Sequence, residues 1–336
     1  MKAAQYRSPG HLDLIAAQLR PLREDEVLLD VEACGICGTD LHIVEGTSRS
    51  TPPVVLGHEY AGTIVEMGKG VQGHMVGEHV AVDPNIACGE CFYCRRGLVH
   101  LCSALRALGV DIDGGMAEYC IVPARQLYAL GKEMSPEVSA FVEPLSCAVH
   151  GIDKAGIRHG DSVVILGGGP IGQMMLQLAR CGGAAFTVLV EPLREKRELG
   201  EKLGASLTID PTSADVAEAM HTVLPEGADV VIECAGLTAT AALAVGLARR
   251  GGTVEFFGVC PIGAAILLEP NSVYFKELTI VGSYVNPHTF SRAIALLRSG
   301  SVRVEDFPIT RFPLDGVHEA LRYHREGLTL KSIIIP

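Results

Sequence analysis

Four cysteines in a short segment could hold a metal ion. Cys88, Cys91, Cys94 and Cys102 lie within one stretch of the 336-residue chain. Four thiolates close a tetrahedron around zinc and leave no open position, which is typical of a structural site. The alternatives are an iron–sulfur cluster, whose usual spacings differ, and four cysteines without metal. Because four cysteines at this density have little packing rationale, the spacing favours a structural zinc loop over residues 88–102.

A second set of candidate metal ligands is spread over three segments. Cys37 lies in the run C-G-I-C-G-T-D-L-H, His58 and Glu59 are adjacent, and Glu143 precedes a proline. One thiolate, one imidazole and one carboxylate would leave a zinc position open for water or substrate, as catalytic zinc sites do. Each residue alone is weak evidence, because a lone histidine or cysteine is usually structural. Spacing alone does not assemble the three segments.

A glycine-rich turn in the middle of the chain could bind a dinucleotide. Gly167, Gly169 and Gly172 have the spacing G-x-G-x-x-G, and Pro170 and Ile171 lie between the last two. Such glycines permit a tight turn, close approach of the backbone to a pyrophosphate, and packing of a helix on a strand. The following helix N-terminus offers N–H groups to phosphates. A glycine-rich turn without a ligand is the alternative, and the neighbouring strand, helix and acid disfavour it.

An acidic residue stands where a ribose-binding acid is expected. Glu191 follows Gly172 by about 20 positions. A carboxylate there can accept hydrogen bonds from both ribose hydroxyls and repels a 2′-phosphate, so it predicts NAD over NADP. Arg194 and Arg197 weaken this prediction a little, because a nearby arginine can bind a phosphate. The prediction is NAD, with Arg194 among the cofactor-binding candidates.

The hydrophobic pattern indicates two kinds of structure along the chain. Residues 1–150 carry short β-branched runs between turn residues, which suggest an irregular antiparallel barrel or sandwich. From about residue 160, apolar runs alternate with helical segments, so the fold class is α/β with a doubly wound parallel sheet. The predicted strands are 26–32, 61–66, 78–82, 162–166, 186–190, 228–232, 253–257, 278–281 and 332–335. The predicted helices are 171–180, 194–203, 238–248 and 290–297.

Composition limits the partners and the location. The formal net charge is −11, with no basic run, which argues against nucleic acid or an anionic membrane as the main partner. Every apolar stretch is interrupted before about 20 residues, so no membrane span is predicted. The N-terminal residues lack the apolar core of a signal peptide, and the 11 cysteines are clustered. A cytoplasmic protein with metal-binding cysteines and a small-molecule substrate is therefore expected.

Taken together, these motifs resemble the zinc-containing medium-chain dehydrogenases, and within them the polyol (sorbitol-type) and threonine dehydrogenases. The resemblance covers essentially the whole chain, with the motifs in the family's order. It implies a GroES-like irregular β-barrel catalytic domain formed by residues 1–150 and 287–336, which includes the cysteine loop. It also implies a Rossmann cofactor domain over residues 151–286. A homotetramer with the cysteine loop near a subunit contact is expected.

The resemblance also implies roles for the dispersed residues. Cys37, His58 and Glu59 would bind the catalytic zinc, with Glu143 as an alternative ligand or as a partner of the zinc-bound water. Thr39 and His42 match the family's proton-relay positions, so Thr39, His42 and Glu143 are the catalytic candidates. The alcohol-dehydrogenase branch usually has cysteine where Glu143 stands, which places this chain nearer the polyol branch.

The expected activity is hydride transfer between a secondary alcohol, such as a polyol or sugar alcohol, and NAD, with two zinc ions per chain. A threonine-type or a simple secondary-alcohol or diol dehydrogenase is the alternative enzyme. A nucleotide-binding regulator without turnover is the alternative from another class, and the intact relay speaks against it. Polyol dehydrogenases commonly carry Arg-Tyr soon after the end of the cofactor domain, whereas here Tyr284 is followed by Val285 and Asn286. Sorbitol itself is therefore not specifically predicted.

Overall fold

The computed structural model describes residues 1–131 and 133–336, which form two compact units. The first unit comprises Met1–Pro144, Phe290–Arg298 and Phe307–Pro336. The second comprises Leu145–Thr289 and Ser299–Asp306. Among the described residues, no helix combines the length and apolar character that crossing a bilayer would require.

The boundaries of the units differ from the predicted domain boundaries at residues 145–150, 287–289 and 299–306, which belong to the second unit. Side-chain hydrogen bonds account for part of the difference. The Thr289 hydroxyl donates to the carbonyl oxygen of Ser146 over 2.7 Å. The Arg303 backbone N–H donates to Gln177 Oε1 over 2.8 Å.

The β-strands lie at both ends and in the middle of the chain. They are β1 (Lys2–Ser8), β2 (His11–Ala16), β3 (Glu26–Gly35), β4 (Val54–Val55), β5 (Glu59–Met67), β6 (His79–Val82), β7 (Asn85–Ile86), β8 (Arg106–Ala107), β9 (Tyr119–Pro123), β10 (Leu127–Ala129), β11 (Ser162–Leu166), β12 (Phe186–Val190), β13 (Leu207–Ile209), β14 (Ala228–Glu233), β15 (Ala248–Phe256), β16 (Thr279–Gly282), β17 (Ile309–Pro313) and β18 (Lys331–Ile335).

The α-helices are concentrated in the second half of the chain. They are α1 (Gly38–Val44), α2 (Pro136–Ser139), α3 (Val142–Ala155), α4 (Pro170–Cys181), α5 (Arg194–Lys202), α6 (Val216–Val223), α7 (Thr238–Leu247), α8 (Pro270–Lys276), α9 (Phe290–Arg298) and α10 (Val317–Glu326). Short 3₁₀ turns occupy Cys94–Arg96, Val99–Leu101, Ala124–Gln126 and Leu314–Gly316.

The first unit is built around a seven-stranded sheet in the order β10-β6-β5-β3-β18-β17, with β9 also paired to β3. Most of these pairs are antiparallel, and bulges interrupt the β3–β5 register. A smaller sheet, β2-β1-β4, packs into the same apolar core. The predicted irregular antiparallel β structure is confirmed.

The pairing of β3 with β5 sets the position of the candidate metal ligands. Gly35, the last residue of β3, lies opposite Glu59, the first residue of β5. Residues that follow β3 and residues that precede β5 therefore meet at the same end of the strand pair. Helix α1 begins at this end, directly after Cys37.

The second unit contains a six-stranded parallel sheet in the order β13-β12-β11-β14-β15-β16. Every residue of β11 is buried, as expected of a parallel strand covered on both faces by helices. The strand order reverses between β11 and β14, and the glycine-rich turn follows β11 at this switch point, where dinucleotides bind. The predicted doubly wound sheet is confirmed. Strand β13 was not predicted, because it is a three-residue strand at the sheet edge without a clear apolar run.

Candidate metal centres and cofactor site

The first candidate centre is formed by Cys37, His58 and Glu59, whose ligand atoms all lie within 4.8 Å of one another. His58 and Glu59 are buried, and Cys37 is half-buried. The structure thus brings together three of the four ligands predicted for the catalytic zinc. A thiolate, an imidazole and a carboxylate are donors that zinc accepts, and three of them leave a coordination position free. The donor set and its burial fit a catalytic zinc ion.

Asp40, which the sequence did not indicate as a site residue, lies beside the His58 ring on its Nδ1 side. It is completely buried, and its Oδ2 accepts the Cys37 backbone N–H over 2.9 Å. Its Oδ1 lies 3.5 Å from His58 Nδ1, and neither atom has a well-aligned hydrogen bond. With Nδ1 facing the carboxylate, Nε2 is the ring nitrogen left for a metal. Burial opposes the charged imidazole, but the charges of Asp40 and Cys37 raise the pKa of His58 well above its usual value.

Lys331 is a second residue beside the candidate centre that the sequence did not indicate. It is 3% exposed, and its ammonium forms an ion pair with Glu59 Oε2. Burial acts to lower the pKa of Lys331, but the charges of Glu59 and Cys37 and the hydrogen bond to Glu59 raise it above its usual value. Nζ also lies 6.0 Å from the centre of the Phe141 ring. A buried ammonium therefore contacts a predicted metal ligand.

The three predicted catalytic residues are placed differently. Glu143 is buried in the first turn of α3, and the group of three close ligand atoms does not include it. Thr39 and His42 are half-buried and lie one turn apart on α1, so their side chains share a helix face. His42 Nδ1 is 3.4 Å from the Thr47 hydroxyl. The zinc-bound-water role of Glu143 and the relay role of Thr39 and His42 stay predictions.

The second candidate centre is the cysteine loop. The sulfur atoms of Cys88, Cys91, Cys94 and Cys102 all lie within 4.8 Å of one another. Cys91 Sγ and Cys94 Sγ are 3.5 Å apart, and backbone N–H groups point at Cys88 Sγ and Cys102 Sγ. Backbone N–H donors lower the pKa of Cys91 to about 5, whereas burial and the Cys91 thiol raise the pKa of Cys94 to about 12. Four converging sulfurs, some already held by N–H donors, fit a closed zinc site.

The glycine-rich turn has the geometry that a phosphate-binding turn requires. Gly167 has φ of +103°, a conformation that side chains disfavour. A Cβ on Gly172 would clash with the Gly167 carbonyl, so this glycine allows α4 to pack against β11. Gly169, just before α4, has open space where a Cβ would lie, and no side chain caps the helix. Pro170 and Ile171 form the first turn of α4, whose N–H groups are therefore available to a phosphate.

Glu191 lies beside this turn and is tied to it. Its Oε2 accepts the Gly168 N–H over 2.7 Å, and its Oε1 accepts the Leu193 N–H over 2.9 Å. The residue is 5% exposed. The carboxylate therefore orients the turn, and each oxygen retains a lone pair that could accept a hydrogen bond from a ribose hydroxyl. Its role in binding a ribose stays a prediction.

The two nearby arginines are engaged elsewhere. Arg197 donates to the carbonyl oxygens of Glu191 and Pro192 and pairs with Asp210 over 3.2 Å. Arg194 is largely exposed and pairs with Glu198 over 2.7 Å on the surface of α5. Neither guanidinium is held in place for a 2′-phosphate.

Comparison with known proteins agrees with this geometry. Residues 23–132 match the profile of the alcohol dehydrogenase GroES-like domain, and residues 170–299 match that of the zinc-binding dehydrogenases. The chain is 35% identical over its full length to D-arabinitol dehydrogenase 1 of Uromyces fabae, and it covers 97% of that protein. It is 37% identical to L-threonine 3-dehydrogenase of Pyrococcus horikoshii, again over its full length, and covers 98% of that enzyme.

A similar solved structure is a protein of Sinorhizobium meliloti 1021 that is assigned as a zinc-binding dehydrogenase and has NADP bound. It is 41% identical, with a TM-score of 0.96 over 100% of this chain and 99% of that one. The chain therefore belongs to the zinc-containing medium-chain dehydrogenases of the alcohol dehydrogenase superfamily. The predicted GroES-like barrel, Rossmann domain and class of enzyme, a zinc-containing dehydrogenase with a nicotinamide cofactor, are confirmed.

Proposed function

We propose that this protein oxidises a secondary alcohol of a polyol or sugar alcohol and transfers the hydride to NAD. The observation that carries the proposal is the group of Cys37, His58 and Glu59, whose three ligand atoms lie close together and would leave a zinc position open for a substrate oxygen. The glycine-rich turn with Glu191 supplies the cofactor site in the same chain. The 35% identity to a D-arabinitol dehydrogenase supports a polyol as substrate.

In this proposal, each residue near the metal has a separate task. When bound, zinc stabilises negative charge on the alcohol oxygen, and NAD accepts the hydride. Cys37, His58 and Glu59 would hold the metal, and Asp40 keeps the His58 ring oriented. Thr39 would accept the hydroxyl proton of the substrate and pass a proton on to His42, which lies one turn further along α1 and would deliver it to water.

Threonine is the second candidate substrate, because the chain is 37% identical over its full length to a threonine dehydrogenase. A screen of NAD reduction across polyols, sugars, diols and threonine separates the two. We expect the highest kcat/KM with a polyol and loss of turnover in Cys37→Ser. Cys181→Ser, which changes an exposed cysteine of the other unit, is the matched control. If the protein binds NAD but oxidises none of these compounds, the result contradicts the proposal and favours a nucleotide-binding regulator without enzyme activity.

Two zinc ions of unequal lability are expected in each chain. The cysteine loop offers four thiolates, whereas the mixed site offers three ligands and an open position. A mild chelator should therefore remove the zinc of the mixed site first, together with activity, while the fold persists. Elemental analysis that finds one zinc per chain in active enzyme would contradict the expectation of two zinc ions.

The substitution Cys94→Ser should lower stability or impair assembly more than it lowers the catalytic rate, because loss of one thiolate opens a metal site that contributes to folding.

Preference for NAD is expected to depend on Glu191. An acid that faces a 2′-phosphate adds repulsion to the loss of two ribose hydrogen bonds, together about 2–4 kcal/mol. Glu191→Ser should therefore raise the ratio of kcat/KM for NADP to that for NAD by at least about 30-fold. Glu195→Ser, which removes an exposed acid of α5, is the control and should leave the ratio nearly unchanged. Wild-type efficiency with NADP that equals the efficiency with NAD would contradict the assignment.

We also infer a cytoplasmic homotetramer. None of the 11 cysteines, all of which the structure describes, forms a disulfide bond, which is usual in a reducing compartment. The cysteine loop exposes Phe92, Tyr93 and Leu98, and the second unit exposes Ile262, Leu267 and other apolar side chains between residues 259 and 284. Exposed apolar groups at this density are typical of surfaces that contact another subunit.

A further inference from the structure

The Glu59–Lys331 ion pair is deeply buried in the first unit. Both side chains are less than 5% exposed. Both side chains pack closely against Gly35. A Cβ at this position would clash with Glu59 Oε2 and with Lys331 Cε. The backbone of β3 is thus shaped so that the ammonium can reach the carboxylate. Among the described residues, Lys331 is the one lysine or arginine that is buried.

The ammonium lies among groups that would surround a metal ion. Glu59, the partner of Lys331, has a ligand atom within 4.8 Å of those of Cys37 and His58. A zinc ion held by these three residues would share the Glu59 carboxylate with the ammonium. Two cations that share one carboxylate in a site of low dielectric compete for it and repel each other.

We propose that Lys331 is a positioning residue that competes with zinc for Glu59 and thereby weakens the hold of the site on the metal. In the metal-free protein, the ammonium neutralises the buried carboxylate. In the zinc-bound protein, the ammonium would compete with the metal ion for the same carboxylate and would repel the metal ion. Lys331 would therefore make a bound metal ion more labile.

Linkage makes this inference measurable without turnover. Removal of the ammonium leaves Glu59 buried and unpaired in the metal-free protein, whereas zinc can still neutralise it in the bound protein. Lys331→Met keeps a long apolar stem without the charge. We expect zinc to bind this variant about tenfold more tightly than the wild type and to dissociate correspondingly more slowly. The melting temperature should fall more in the metal-free form than in the zinc form.

The experiment uses the full chain and a chromophoric chelator that competes for the labile zinc. Arg20→Met is the matched control, because Arg20 pairs with the buried Glu26 over 2.6 Å in the same unit. Glu26 begins β3, at the opposite end of the strand from Gly35. Arg20→Met should lower the stability of both forms equally and leave zinc affinity unchanged. Lys331→Arg retains the charge and should stay within about threefold of wild type.

The outcomes distinguish a positioning role from a packing role. Equal destabilisation of both forms with unchanged zinc affinity would overturn the proposal, and so would weaker zinc binding in Lys331→Met. If Lys331→Met cannot be recovered folded, Lys331→Gln is compared with Lys331→Arg, and the glutamine variant must bind zinc more tightly. The inference rests on the proposed metal site but not on the proposed reaction. Failure of the wild type to bind a labile zinc at all would contradict that site instead.

Discussion

Asp40→Asn is expected to lower the zinc affinity of the Cys37, His58 and Glu59 site about 10- to 100-fold. Asp40 is completely buried, and its Oδ1 is 3.5 Å from His58 Nδ1. A carboxylate in this position favours the ring orientation that presents Nε2 to a metal and makes that nitrogen a better donor. An amide has the same shape but lacks the charge. Its NH₂ group can also face Nδ1 and select the wrong tautomer.

The variant is measured by chelator competition for the labile zinc and by turnover with the substrate found in the screen. Glu26→Gln is the control, because it makes the same change from carboxylate to amide at another buried position of this unit. It should lose stability through its pair with Arg20 and keep its zinc. Wild-type zinc affinity in Asp40→Asn would show that the His58 ring is oriented by packing alone.

Several regular elements of the second unit could be predicted almost to the residue, whereas β13, α6 and α8 were not predicted. β11 and β12 have the predicted bounds, because each is a continuous apolar run between polar turns. α4 extends the predicted helix by one residue at each end. β15 begins five residues earlier than predicted, in the run Ala248–Gly252, because pairing with β14 extends it through residues without an apolar pattern. Pairing energy of this kind comes from a neighbouring strand and leaves no local signal.

The two metal centres differ in how far the sequence could describe them. The cysteine loop is local, so spacing sufficed to predict that its four sulfurs converge. The mixed site depends on the register of β3 with β5, which contains bulges that shift the pairing. A shift of one residue would turn Glu59 to the other face of the sheet. The resemblance to a family, and not the spacing, supplied this part of the prediction.

Lys331 and Asp40 were missed for different reasons. Lys331 lies 272 positions from Glu59 and reaches it because β18 pairs with the end of β3. No pattern within β18 distinguishes this lysine from one that begins an ordinary edge strand. Asp40 had a usable signal, since it is an acid in the first turn of α1, three positions after Cys37. An acidic residue in this position usually caps its helix. The capping role explained the residue fully, so its contact with His58 was not predicted.

Glu255 provides a prediction that does not depend on metal or cofactor. It is completely buried on β15, and neither carboxylate oxygen has a well-aligned hydrogen bond. A Cβ on Gly151 would come within 2.8 Å of Glu255 Oε1, so α3 passes close beside the carboxyl group. Burial raises the pKa of Glu255 to about 8, and the nearby Ser283 hydroxyl and Lys154 ammonium offset this only in part. The folded protein therefore keeps this carboxyl group protonated at neutral pH.

The sign of the pH dependence follows from the difference between the folded and unfolded states. The carboxyl group has a pKa of about 4.5 when unfolded and about 8 when folded, so the folded state binds more protons between these values. The free energy of unfolding contributed by Glu255 is fully present below about pH 4.5. It falls as the pH rises towards 8 and does not change further above that value. Between about pH 5.5 and pH 8.5, the loss amounts to about 3 kcal/mol.

Glu255→Gln should remove this pH dependence, because an amide of the same shape is neutral throughout. The free energy of unfolding of the variant relative to wild type should therefore rise by about 3 kcal/mol between about pH 5.5 and pH 8.5. Denaturant unfolding of the second unit at both pH values measures the difference, and Glu269→Gln, at an exposed position of the same unit, is the control. An equal difference at both pH values would mean that Glu255 titrates alike in the folded and unfolded states. Some group within the unit would then have to stabilise its charge, and Lys154 is the cation best placed to do so.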